Sequence, residues 1–148
     1  MASKPSKLVF TIGYEGLSIE QVLSKLREAR VETLLDVRYR AQSRKSGFSK
    51  TKLGDACQSS GISYRHDREL GTPPELMKRV RASGYDHDLH TEYRSYLAGK
   101  TASLRVASKD VISKLTCLLC YEADPTNCHR SIVAEELALL TGATIRHL

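Results

Sequence analysis

The chain has 148 residues and a mass of 16.5 kDa, the size of one domain with a hydrophobic core of its own, which excludes two independent catalytic domains. Hydrophobic residues make up 41% and charged residues 27% of the sequence, a balance that excludes a disordered chain and a fibrous repeat. No apolar run approaches the roughly 18 residues of a membrane span, and the segment 1–7 lacks the apolar stretch of a secretory signal. We therefore expect a cytoplasmic domain over 1–148 that does not contact membranes, with a flexible N-terminus over 1–7.

The positive charge of the chain is concentrated in one segment. The formal net charge is +6, from 23 Lys and Arg against 17 Asp and Glu. The segment 38–52 contains no acidic residue and six basic ones: Arg38, Arg40, Arg44, Lys45, Lys50 and Lys52. Such a segment is either a solvated loop or a surface that binds polyanions, so the expected partner is a nucleic acid or a phosphorylated small molecule.

The first half of the chain alternates predicted strands with predicted helices. In chain order, the elements are a strand over 8–12, a helix over 19–29, a strand over 31–37, a helix between Ser49 and Gly61, and a strand over 62–65. Ser18 and Ser49 are the expected N-caps of the two helices, and Gly61 has the position of a helix C-terminal glycine.

The second half begins at a break in regular structure over 71–74, where a proline can occupy the first turn of a helix. The predicted elements that follow are helices over 75–80, 89–97 and 104–115, a strand over 115–121, a turn over 124–127, a helix over 129–140 and a strand over 144–147. The strands are mostly apolar instead of alternating with polar residues. This favours one α/β domain with a mainly parallel sheet that is flanked by helices on both faces.

Polar and ionisable residues collect where the predicted strands end. The four segments that follow or close the first four strands are 13–16, 36–38, 64–66 and 120–122. Ligands of open α/β sheets bind beyond the carboxyl ends of the strands, so these segments predict a site at that edge of the sheet.

Acidic residues and histidines at these strand ends are the candidates for proton transfer. The three acidic residues are Glu15, Asp36 and Glu122. They can act as acid and base or hold a metal such as magnesium, although an ion pair with Arg38 is the alternative for Asp36. His66 and His129 are candidate general bases, and a structural hydrogen bond is the alternative for each.

Arginines and aromatic residues near the same edge are the candidates for binding a phosphate and a base. The arginines, suited to bidentate phosphate binding, are Arg38, Arg44, Arg65 and Arg130. The rings that can stack on a base are Tyr14, Phe48, Tyr64 and Tyr121. For Phe48 and Tyr64, packing in the core is the alternative.

The cysteines of the chain are expected to be reduced thiols, because no export signal is found. Cys117, Cys120, Cys128 and His129 have the residue types of a zinc site. However, Cys117 and Cys120 are three apart in a predicted strand and therefore point to opposite faces, so we assign no metal ligands. The sequence does not identify a cofactor.

Cys128 precedes a predicted helix with Arg130 and Ser131 in its first turn, an arrangement related to the oxyanion cradles of cysteine phosphatases and rhodaneses. Only one residue separates Cys128 from Arg130, whereas those enzymes have a loop of several residues there. The alternative is a small buried residue that packs the start of the helix.

Five groups of residues together resemble a known family. They are Thr11–Gly16; Leu35–Arg38; Ser43 with Gly47–Ser49; Tyr64–His66 with Glu69–Pro73; and Leu119–Glu122 with Cys128–Ser131. In this order they resemble the bacterial and archaeal family called domain of unknown function 488, over nearly the whole chain. The resemblance implies a small α/β domain whose shared motifs face one cleft, with an enzymatic or nucleic-acid-linked role. Asp67–Arg68 departs from the apolar and proline pair that often stands there, which affects the expected shape of that loop.

Two classes of function follow as expectations, with a third less favoured. The first is an enzyme that acts on a nucleotide or nucleic acid in a phosphate-binding cleft at the carboxyl ends of the strands. The second is a non-catalytic domain that binds nucleic acid or a phosphorylated ligand. The third is a thiol enzyme of the rhodanese or phosphatase type.

Overall fold

The computed structural model describes residues 7–148, so residues 1–6 of the expected flexible N-terminus lie outside the described residues. The strands are β1 (Leu8–Gly13), β2 (Thr33–Asp36), β3 (Ser63–His66), β4 (Thr116–Cys120) and β5 (Thr144–His147). The helices are α1 (Ile19–Glu28), α2 (Lys50–Ser59), α3 (Pro74–Ser83), α4 (His87–Ala98), α5 (Thr101–Ser113) and α6 (Arg130–Thr141). Among these helices, none combines the length and the apolar character that a membrane crossing requires.

The strands form one parallel sheet in the order β3-β2-β4-β1-β5, which confirms the predicted α/β class. Strand β2 is shorter than predicted, because it begins at Thr33 and not at 31. Arg30 has a positive φ of 60°, and the Val31 N–H donates to the Leu26 carbonyl, so the chain is still closing α1 at these residues. The strand can start only after this turn is complete.

Alternate residues of the strands pack into two hydrophobic clusters. Phe10, Leu34 and Cys117 belong to a cluster with buried residues of α1 and α2. Their strand neighbours Val9, Leu35 and Leu118 belong to a second cluster, with buried residues of α4, α5 and α6. This division is compatible with the expected helices on both faces of the sheet.

Cys117 and Cys120 lie in different clusters, which confirms that residues three apart in this strand face opposite sides. Cys120 is on the side that packs against α6.

The connections leave the sheet in two directions. From β1 to β2 to β3 the chain moves towards one edge through α1 and α2, and from β3 to β4 to β5 it moves towards the other through α3 to α6. Because crossovers between parallel strands are right-handed, the two sets of helices belong to opposite faces. Strands β1 and β4 are neighbours, and the chain leaves them towards opposite faces of the sheet. This leaves a crevice at the carboxyl end of β4, between β2 and β1.

Candidate functional site

A cleft of about 510 Å³ opens at the carboxyl ends of β1, β2 and β4. Most of its walls come from four places: Tyr14 after β1, the segment 38–43 after β2, Met77 and Arg81 on α3, and the end of β4 up to Glu122. His129, just before α6, also contributes. The cleft therefore lies at the edge where the strand-end motifs predicted a site.

Asp36 and Arg38 form a buried ion pair beneath this cleft. Asp36 is fully buried, and Arg38 is 5% exposed. The Arg38 guanidinium donates to both carboxylate oxygens, from Nε at 2.9 Å and from Nη2 at 2.7 Å. The Tyr64 hydroxyl donates to Asp36 Oδ2 at 2.6 Å, and Arg38 Nη1 donates to the Phe48 carbonyl at 2.8 Å. The geometry of Asp36 is thus that of the ion pair considered as its alternative role, and it fixes the segment after β2.

Both candidate histidines contact that same segment through backbone carbonyls. His66 Nε2 lies 2.7 Å from the carbonyl oxygen of Arg38, and His129 Nε2 lies 2.7 Å from that of Val37. Since a carbonyl only accepts, each Nε2 carries the proton and donates it. In the neutral imidazole, Nδ1 of His129 is then an acceptor, and it faces the sulfurs of Cys120 and Cys128.

Arg130 and Ser131 are held by protein groups at the start of α6. Arg130 is 1% exposed. Its Nε donates to Thr11 Oγ1 at 3.1 Å, Nη2 donates to the Ala123 carbonyl at 3.2 Å, and Nη1 donates to the Glu122 carbonyl. Ser131 Oγ donates to the Cys128 carbonyl at 3.0 Å. These contacts anchor the loop after β4 and occupy the groups expected to surround an oxyanion.

Cys128 is fully buried, and burial raises the pKa of its thiol well above the ordinary value. The neighbouring Cys120 side chain acts in the same direction on this pKa. A free thiol in this environment is protonated at neutral pH, unlike the activated thiolates of cysteine phosphatases.

Two motif glycines allow the walls of the cleft to approach each other. A Cβ at Gly13 would lie 1.8 Å from the Glu122 carbonyl oxygen, and one at Gly71 would lie 2.3 Å from the backbone nitrogen of Tyr39. Neither space can hold a methyl group. Gly13 therefore permits the contact between the end of β1 and the loop of Glu122, and Gly71 permits the approach of the segment after β2.

Four further predicted residues do not line the cleft. Glu15 is exposed, and its Oε1 accepts from the Ala123 N–H at 3.0 Å. Arg65 pairs with Asp110 at 2.7 Å, and the exposed Arg44 is not part of the lining. Phe48 is fully buried and stacks on Tyr14 with 4.3 Å between the ring centroids, so its ring is not presented to a ligand.

The loop with the unusual Asp67–Arg68 pair forms a short 3-10 helix over Arg68–Leu70. Asp67 Oδ1 accepts from the Glu69 N–H at 3.0 Å, which caps this turn. The Arg68 guanidinium lies 5.1 Å from the ring centroid of Tyr39, so one face of this cleft residue is already covered.

Several cleft residues were not named as site residues by sequence reasoning. They are Tyr39, Arg40, Gln42, Ser43, Thr72, Pro74, Met77, Arg81 and Cys120. Two of them could have been identified from the sequence: Arg40 because it belongs to the basic segment 38–52, and Cys120 because it is the last residue of a strand. Arg81 lies on α3, about forty residues after Arg40, and only the tertiary fold brings it to the site.

The family comparison agrees in extent with this site. The profile of a domain of unknown function, DUF488, matches residues 18–137, a range that contains every cleft residue except Tyr14. No curated protein and no solved structure matches the chain.

Proposed function

The chain belongs to the family of domain of unknown function DUF488, and we propose that it is an enzyme that acts on a nucleotide, free or within a nucleic acid, whose phosphate binds in the cleft. One observation carries the proposal. Arg40, in the segment after β2, and Arg81, on α3, line the cleft, are exposed, and form no ion pair among residues 7–148.

The charge of the cleft favours an anionic ligand. Three arginines and one carboxylate, Glu122, line it, and the charge of Arg38 is already balanced by Asp36. Among the described residues that line the cleft, Arg40 and Arg81 are therefore the two cations available to a ligand. Guanidinium groups bind phosphate through paired N–H donors, which suits a phosphate placed between the segment after β2 and α3.

Aromatic rings beside these arginines favour a base next to the phosphate. Tyr121 is 46% exposed and contacts Tyr14 edge to face, with 5.3 Å between their ring centroids. Tyr39 is half-buried and also lines the cleft. Stacking on such rings stabilises a bound base by roughly 1–3 kcal/mol.

Glu122 is the proposed proton-transfer group of the reaction. It is half-buried, and it supplies the carboxylate among the cleft residues. The other two acidic candidates are placed differently, because Asp36 is occupied by Arg38 and Tyr64 and Glu15 lies outside the lining. A carboxylate in a cleft that also binds phosphate is suited to general acid or base catalysis.

A non-catalytic nucleic-acid-binding domain is the second candidate. The basic segment supports it, because four of its six cations are exposed on the surface: Arg40, Arg44, Lys50 and Lys52. Of these, only Arg40 lines the cleft, so a polyanion could also bind along the outside of the domain.

Binding is tested by fluorescence anisotropy with labelled single-stranded DNA, single-stranded RNA and a labelled nucleoside triphosphate at several salt concentrations. Loss of one arginine–phosphate contact corresponds to about a tenfold weaker affinity, so we expect this effect from Arg81→Ala and from Arg40→Ala. Arg105→Ala is the matched control, because Arg105 is exposed on α5 and does not line the cleft. An equal effect of Arg81→Ala and Arg105→Ala would contradict binding in the cleft.

Turnover of the bound nucleotide or nucleic acid separates the two candidates. The enzyme proposal predicts that Glu122→Gln reduces turnover by about a hundredfold or more while binding changes little. Tight, salt-sensitive binding without any change in the bound molecule identifies the second candidate instead.

A further inference from the structure

We propose that Cys120, Cys128 and His129 form a zinc-binding site at the floor of the cleft, a site that does not depend on the nucleotide proposal. The ligand atoms are the two Sγ atoms and His129 Nδ1, which all lie within 4.8 Å of one another. All three residues are buried, with exposed fractions of 5%, 0% and 1%.

The distances between these atoms are close to those of a coordinated metal. His129 Nδ1 lies 3.7 Å from Cys120 Sγ and 3.9 Å from Cys128 Sγ. With zinc–sulfur bonds of about 2.3 Å and zinc–nitrogen bonds of about 2.05 Å, tetrahedral geometry separates sulfur from nitrogen by about 3.6 Å. Nδ1 therefore needs to move by only a few tenths of an ångström relative to each sulfur. The two sulfurs, which lie within 4.8 Å of each other, need to approach by at most about 1 Å.

The ring of His129 is already oriented as a metal ligand requires. Its Nε2 donates to the Val37 carbonyl at 2.7 Å, which fixes the tautomer of the neutral ring, the form that binds a metal, and directs Nδ1 at the two sulfurs. A hydrogen bond from the far nitrogen of a histidine to a carbonyl is the usual outer contact of zinc-bound histidines. Packing alone does not require two thiols to converge on one imidazole nitrogen.

The three ligands lie at the end of one element and at the start of another. Cys120 is the last residue of β4, and Cys128 and His129 immediately precede α6. The loop between them contains a 3-10 helix over Pro125–Asn127, and the Arg130 guanidinium binds carbonyls of this loop. The orientation of Cys117, which argued against zinc in the sequence, removes only that residue from the set.

The site has room for a fourth ligand on the side of the cleft. Cys120 and His129 line the cleft, and Cys128 lies behind them. Glu122 also faces the cleft, with Oε2 3.5 Å from Cys120 Sγ. Two thiolates and one imidazole are a set that selects zinc over magnesium, and a set of three protein ligands with an open position is typical of catalytic zinc sites.

The test is metal binding by the full chain, reduced, stripped with a chelator and kept free of nucleotide. Zn²⁺ titration is expected to show one equivalent, and Co²⁺ in its place is expected to give the sulfur-to-metal charge-transfer absorption of thiolate ligands. The Co²⁺ spectrum of the unmodified chain tests the ligand type without any substitution. Absence of a stoichiometric metal, or a Co²⁺ complex without this absorption, would overturn the proposal.

Cysteine variants identify the ligands. Cys120→Ala and Cys128→Ala are expected to weaken Zn²⁺ binding by at least about a hundredfold, since each removes a direct ligand. Cys117→Ala is the matched control, because Cys117 is equally buried in the same strand but faces the other cluster. It should retain one equivalent of Zn²⁺, with circular dichroism confirming the fold of every variant. Equal losses in Cys117→Ala and Cys120→Ala would assign the metal to some other place.

Discussion

Asp36 and Arg38 are two residues apart in the chain, yet together they organise the segment that forms one wall of the cleft. The carboxylate accepts from the Arg38 side chain and the Tyr64 hydroxyl, and the guanidinium reaches on to Tyr14 and to the Phe48 carbonyl. One buried charge pair therefore joins β2, β3, the segment after β1 and the segment before α2. Replacing only one partner leaves the other charge buried without compensation.

We expect Asp36→Asn to lower the free energy of unfolding by about 3–5 kcal/mol, because Arg38 stays charged and buried. Glu135→Gln is the control, since it also neutralises the partner of an arginine, but in the half-exposed pair with Arg94. The control should change the free energy by no more than about 1 kcal/mol. Urea denaturation measures both, and similar losses would show that the buried pair does not stabilise the fold.

The sequence predicts roles for single residues unequally. The ion pair of Asp36 was foreseeable because its partner is two positions away, whereas the burial of Phe48 was not, since an aromatic residue in a basic loop fits stacking and packing alike. The position of Arg81 in the cleft could not be predicted, because no local pattern connects α3 with the ends of β2 and β4. Residues that contact near neighbours can be predicted, and those that meet only in the tertiary fold cannot.

Helix α1 shows why individual elements were predictable. Ser18 Oγ accepts from the Gln21 N–H at 3.1 Å, and Gln21 Oε1 accepts from the Ser18 N–H at 2.8 Å, a complete capping box. Val22 and Leu26 are buried on one side, as the apolar spacing indicated. Both signals lie within the element itself, whereas the order of the strands depends on pairing between distant segments.

Ser18→Ala is expected to lower the free energy of unfolding by about 1 kcal/mol, because the start of α1 loses its side-chain cap. Ser24→Ala makes the same substitution at an exposed position inside the same helix. It should leave stability unchanged or raise it slightly, since alanine is the better helix former. Thermal denaturation of both variants measures the difference, and equal effects would mean that the cap is not formed in solution.

The molecule as a whole carries buried groups that resist ionisation. Burial, with a smaller effect of the Asp36 charge, raises the pKa of Cys57 to about 11, and burial also raises the pKa values of Cys117 and Tyr64 above their ordinary values. The folded chain therefore retains protons at alkaline pH that the unfolded chain releases. For these groups, stability is fully present below the unfolded pKa and falls as pH rises above it.

The free energy of unfolding is expected to fall between pH 8 and pH 10.5, by about 1.4 kcal/mol per pH unit for each such group once its unfolded form is ionised. Urea denaturation over this range measures the slope. Cys57→Ala should make the slope shallower, even though it also removes a buried sulfur and lowers stability at every pH. A slope that is identical in the variant would mean that Cys57 titrates normally in the folded state.

The position of β1 in the sheet has a consequence for synthesis on the ribosome. Within residues 7–148 this strand pairs with β4 and β5 alone, which come from residues 116–147, whereas β2 and β3 are close together in the chain. The apolar β1 therefore stays unpaired while about a hundred further residues are translated. During this interval the nascent chain can aggregate or bind a chaperone. The cleft is built from the ends of β1, β2 and β4, so it forms only after β4 has been translated and has paired with β1.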